Sequence, residues 1–145
     1  MSASGAPALY TPELLGLSVA LADYPLDQSA PCIGSASSRT CGSRIEMSLV
    51  PGDDQRIAQV GMRVSACAIG QAAATIFVRG ATGRDRATIA AASAAIEDWL
   101  AGGSVPEWPG FKPLTAARPH KGRHGALLLP WRAALAALSN CRNAG

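Results

Sequence analysis

Arg44-Ile45-Glu46-Met47-Ser48-Leu49, then Pro51-Gly52-Asp53-Asp54, then Val60-Gly61-Met62-Arg63-Val64-Ser65-Ala66-Cys67: this stretch decides how the chain folds. Ile45, Met47 and Leu49 alternate with Arg44, Glu46 and Ser48, and Val60, Met62, Val64 and Ala66 alternate with Gly61, Arg63 and Ser65. A side-chain period of two belongs to strands with one buried and one wet face. Pro51 to Asp54 carries turn chemistry between them, so the pair is expected to form an antiparallel hairpin. At Cys67 the period breaks. Residues 68–79 are small and apolar throughout, which predicts a buried helix beginning near that cysteine.

Outward from the hairpin, the N-terminal side opens with Thr11-Pro12, an N-cap followed by Pro at the first helical position. Leu14, Leu15, Leu17, Val19 and Leu21 give that helix its apolar stripe. Residues 23–38 are rich in Pro, Gly and Ser and read as a connection whose later part enters a strand; residues 1–9 read as a loose tail. On the C-terminal side, residues 84–100 predict a helix closed by Gly102-Gly103. Residues 104–122 hold Pro106, Pro109, Pro113 and Pro119 and read mostly as loop. A last helix spans about residues 123–140, with a kink at Pro130 or a start nearer Leu129. Strands grouped ahead of helices imply an α+β fold, a small antiparallel sheet packed against helices on one face.

The chain's 145 residues fit a single domain, residues 1–145, able to bury a substantial core. With 48% hydrophobic and 16% charged residues the composition is globular. Aromatics are scarce and Ala abundant, which favours close helix packing over large aromatic clusters. A net charge of +3, with only a modest basic cluster at Arg118, Lys121 and Arg123, argues against a nucleic-acid partner. No run approaches the roughly 20 apolar residues of a membrane span, and no leader is visible at the N-terminus. The expectation is a cytoplasmic protein without membrane partners, in which four cysteines favour metal or redox chemistry over a disulfide framework.

Three residues at element ends carry the candidate chemistry. Cys41 enters the Ile45 strand beside Gly42. Cys67 stands at a helix start, where unpaired N–H groups and the helix dipole favour a thiolate. His124 opens the last helix. Cys32 and Cys141 are poorer candidates: as a strand, the nine steps from Cys32 to Cys41 span roughly 30 Å, and Cys141 lies roughly 25 Å along the helix from His124. His120 is four residues from His124, a metal-site spacing, although Gly122 intervenes. From the residues alone this is a metal-site candidate, with a buried apolar Cys and a surface His as the ordinary alternatives.

Taken together and in order, these segments resemble the IscU/NifU-like (SufU-like) scaffolds of iron–sulfur cluster assembly. The resemblance runs from about Leu9 to Leu138. It begins with the Leu-Tyr-Thr-Pro-Glu helix and continues with Thr40-Cys41-Gly42-Ser43, similar to the family's Ala-Cys-Gly-Asp. Residues 65–72 resemble its Gly-Cys-X-X-X-X-Ala-Ser segment, the helix from Gly83-Arg84 to Leu100 its following helix, and residues 123–131 the segment bearing its third cysteine. Three departures stand out. Ser43 replaces the family aspartate, Gly125 stands at the third cysteine beside the retained His124, and residues 117–121 lack the Leu-Pro-Pro-Val-Lys chaperone-binding motif.

The resemblance implies a non-enzymatic scaffold or carrier that binds iron or a [2Fe–2S] cluster through Cys41, Cys67 and His124. Ser43, His120 and Gly125 would be exchangeable or supporting positions around it. It also implies a cysteine desulfurase and recipient apo-proteins as partners. The alternatives are a zinc-binding or regulatory relative of the scaffold, and a sulfur-acceptor enzyme using Cys67 with His124 as base. Restoring a thiol by Gly125→Cys is expected to tighten the site.

Overall fold

The computed structural model describes residues 11–20, 24–39 and 42–142. The expected tail at residues 1–9, and Cys41 itself, lie outside them. Helix α1 (Pro12–Ser18) starts where Thr11-Pro12 predicts, the Thr11 hydroxyl accepting from the Leu14 N–H at 3.1 Å. Strands β1 (Cys32–Ser38), β2 (Ser43–Pro51) and β3 (Ile57–Ser65) follow, then α2 (Ala68–Ala81), α3 (Arg86–Leu100) and α4 (His124–Ser139).

The sheet has the order β1-β2-β3 and both pairings are antiparallel. Ile45, Met47 and Leu49 are fully buried on its inner face, as their alternation requires. The expected β2–β3 hairpin forms, with Met47 opposite Met62 and Arg44 opposite Ser65. The Pro, Gly and Ser-rich connection turns into β1 at Cys32, so its second half is a full strand.

Helix α4 covers β1 and β2, with α2 beside it against β3. It runs along β1 in the opposite direction. A side chain on Gly34 would run into the backbone of Ala137, so a glycine is what lets helix and strand approach this closely. Beyond that contact Cys32 and Cys141 form a disulfide that closes a separation of 109 residues. This corrects the expectation that the cysteines serve metal or redox chemistry rather than bridges. The antiparallel crossing of α4 over β1 joins Cys32 to Cys141 at the end of β1 away from Ser38.

Helix α4 spans His124–Ser139, close to the expected 123–140, and of the two readings of Pro130 the later start near Leu129 does not occur, the next residues 131, 133 and 134 all being buried. Two further expectations change. The proline-rich stretch contains 3₁₀ turns at Lys112–Ala117 and Lys121–Arg123. And despite their scarcity, the aromatics do cluster. Phe77 stacks on Trp108 at 5.5 Å, and Trp131 meets Phe77 and Trp108 edge-on, with Phe111 and Trp99 continuing the group. Trp108 Nε1 donates to the Ile76 carbonyl at 2.9 Å, which meets the polar demand of a buried indole.

Candidate functional site

Four chain segments converge at one end of the sheet. The first two are the facing ends of β1 and β2, where Ser38 is opposite Ser43. Both serines are buried. Residues 39–42 link them, and Cys41 lies within that link, outside the described residues. Gly42 has φ +65°, a left-handed turn that suits glycine and delivers the chain into β2.

The third segment is the step from β3 into α2. Ser65 closes β3 opposite Arg44, and two residues later Cys67 is the N-cap of α2 with extended backbone angles. Its side chain makes no capping hydrogen bond, so the sulfur is not committed to its own helix. Gln71 fixes the step from both sides. Its backbone N–H donates to the Cys67 carbonyl at 3.0 Å, and its side-chain amide reaches back to the Ala66 carbonyl at 3.0 Å.

The fourth is the start of α4. A Cβ on Gly70, one turn into α2, would stand 3.5 Å from the Ala126 Cβ, so the first turns of the two helices touch. A Cβ on Gly125 would collide with the Ser38 hydroxyl and lie 3.2 Å from the Ser38 Cβ, so the start of α4 also meets the end of β1. Cys67 and the Gly125 neighbourhood therefore share one rim with Ser38 and Ser43.

His124, half-buried at the first position of α4, is held by the preceding loop. Its Nε2 lies 2.7 Å from the Arg118 carbonyl oxygen. A carbonyl only accepts, so Nε2 carries the proton, and in neutral imidazole Nδ1 holds the free lone pair. His120 precedes the 3₁₀ turn, and its Nε2 is buried with no hydrogen-bond partner among the described residues. Among those residues no three His, Cys, Asp or Glu side chains form a ready metal-binding group.

Cys32 and Cys141 are bonded to each other at the opposite end of α4 and β1, away from the rim. Ser38 is the residue that sequence reasoning passed over. It ends a segment whose later part reads only as entering a strand, and its contact with Gly125 depends on α4 folding back across the sheet. The one available signal is its position, three residues before Cys41 as Ser43 is two after it.

No protein-family model matches the chain, and no curated protein matches it in sequence. Solved structures do match its fold. A NifU-like protein (N-terminal) from Brucella abortus superposes with a TM-score of 0.83 at 24% identity, over 91% of this chain and 93% of that one. An iron–sulfur cluster assembly scaffold for the SUF system from the thermophilic Fervidobacterium islandicum AW-1 gives a TM-score of 0.79 at 19% identity, over 90% and 96%. The chain has the α+β fold of these proteins.

Proposed function

From the fold it shares with NifU-like and SUF-system scaffold proteins, we propose that this chain is a non-enzymatic iron–sulfur scaffold or carrier. Iron and sulfide are its cargo, and Cys41, Cys67 and His124 are the residues proposed to receive them. The observation that carries this is the Arg118 carbonyl on His124 Nε2. A histidine that ligates a metal commonly donates its other ring N–H to such an acceptor, which fixes its orientation and leaves the second nitrogen for the metal.

The donor set fits the cargo. Two thiolates and one imidazole make a soft site suited to iron–sulfur or zinc chemistry. A fourth ligand would come from His120, whose buried Nε2 has no described partner, from a small thiol, from water or from a recipient protein. Three protein ligands with one open position suit a cargo that must leave again. Ser43, in place of a carboxylate, supplies no anionic oxygen, so Ser43→Asp would add a hard, exchangeable ligand. A cysteine desulfurase as sulfur source and apo-proteins as recipients follow from the same role, and a [2Fe–2S] cluster is the form that the resemblance to such scaffolds implies. The absence of a third thiolate also favours zinc as the alternative occupant.

Anaerobic addition of iron and sulfide, followed by absorbance and by iron and sulfide quantitation, tests the proposal. Thiolate–iron charge-transfer bands with matching iron and sulfide are expected. Zinc in the purified protein, with no such bands after reconstitution, would favour the zinc reading. Sulfur loaded covalently on Cys67 without metal would favour the acceptor enzyme.

A further inference from the structure

We propose that Ser38 determines the specificity of this site by filling the space that a side chain at position 125 would need, so that the site is held to two thiolates. The inference rests on the scaffold reading of the rim and goes beyond it, because it names the residue that decides how many sulfurs can enter. Gly125 lies in the first turn of α4 with no conformational reason to be glycine: its φ is not in the left-handed region. Its reason is space. A Cβ built there meets the Ser38 Oγ at a distance no real pair adopts, and stands 3.2 Å from the Ser38 Cβ. Ser38 is itself buried and held in register opposite Ser43, so the strand cannot simply withdraw. The hydroxyl can turn about one bond, but its Cβ remains close to any new side chain. The pair Ser38–Gly125 thus acts as one unit. A thiol introduced at 125 alone must displace the Ser38 hydroxyl before it can face Cys67.

The consequence is a reversal of sign that neither residue shows alone. In a helix, Ala is favoured over Gly, so Gly125→Ala should raise the melting temperature wherever the added methyl has room. With Ser38 present the methyl must turn the hydroxyl aside and still stands 3.2 Å from the Ser38 Cβ, and this overpacking should lower the melting temperature of the metal-free protein by about 5 °C. With Ser38→Gly in place, the same Gly125→Ala change should leave it equal or raise it. Equal effects of Gly125→Ala in the two backgrounds would overturn the proposal without reference to any metal.

Cobalt(II) binding then reads the number of thiolates through the intensity of the sulfur-to-cobalt charge-transfer band. In place of the tightening expected from the sequence, Gly125→Cys alone should leave the band near that of the unaltered protein, because Ser38 occupies the space, while Ser38→Gly with Gly125→Cys raises it by about one half, as two thiolates become three. A full increase from Gly125→Cys alone would refute the role of Ser38. Were the unaltered protein to show no such band, the metal-site reading would fail, and with it the thiolate count. The melting-temperature cycle would still report separately whether Ser38 closes position 125.

Discussion

His124 and Cys67 illustrate what one residue contributes when its surroundings have fixed it. The Arg118 carbonyl holds the His124 ring by Nε2, so Nδ1 is the nitrogen that can reach cargo. His124→Ala is expected to weaken iron or zinc binding roughly tenfold or more, in line with loss of one ligand. The loss should be larger at neutral than at acidic pH, because a protonated imidazole does not ligate and the unaltered protein forfeits the same donor in acid. Metal titrations of both proteins at two pH values check this, and an equal ratio at both would remove His124 from the ligand set. Cys67 is half-buried at a helix start, whereas Cys32 and Cys141 are joined as a disulfide. Alkylation of the unreduced protein should therefore label Cys67, with Cys32 and Cys141 labelled only after reduction; peptide mapping distinguishes the two patterns. Cys67 was legible in the sequence because strand period ends and helix begins at that residue. Ser38 was not, because its importance comes from a residue on a helix far along the chain.

Among the elements, β2, β3 and α2 follow the sequence most closely, since local periodicity and burial point the same way in each. The start of α3 needed more than periodicity. Helix α3 begins at Arg86 because Asp85 caps it, its carboxylate accepting from the Thr88 N–H at 2.9 Å and from the Thr88 hydroxyl at 2.8 Å. The Thr88 backbone N–H, then its hydroxyl, hold the Asp85 carboxyl below its ordinary value of 3.8, with Arg56 adding a smaller attraction. A carboxylate whose pKa is lowered by folding stabilises the folded state above its unfolded value and ceases to as pH falls through the folded one. Asp85→Ala should lower the melting temperature at neutral pH and soften its decline as pH falls below the ordinary carboxyl value of 3.8 toward the lowered folded one. Asp85→Asn keeps an N-cap oxygen and should retain most of the neutral-pH stability. Melting curves across that range for the three proteins check it. The bounds of α4 were legible to within a residue at each end, and only Pro130, which reads as a kink or a later start, left them open. In the fold it is buried among Leu127, Leu128, Leu129 and Trp131, and tertiary burial outweighs the missing hydrogen bond.

At the scale of the whole molecule, α4 and β1 form an axis with the candidate rim at one end and the Cys32–Cys141 disulfide at the other. Closing a loop of that length constrains the unfolded chain by about 4–5 kcal/mol in the loop-entropy account. A thiol reductant should therefore lower the melting temperature substantially, and Cys141→Ser should reproduce the loss. A melting curve unchanged by reductant would mean that the two sulfurs are not joined in solution. The pairing was hidden from the sequence because it depends on how a strand and a helix cross, and spacing along the chain carries no trace of that. The aromatic group around Trp131 was hidden for the same reason: seven aromatics in 145 residues look sparse until α2, α3, α4 and the proline-rich stretch bring five together. What the sequence did carry was the order of elements and the positions of Cys67 and His124 at helix starts. Anaerobic reconstitution of the unaltered protein beside Cys41→Ala and Cys67→Ala, with iron and sulfide quantified per chain, tests the scaffold role most directly. The account predicts a chromophoric iron–sulfur species in the first and its loss in both variants. Equal iron and sulfide content in all three would contradict it.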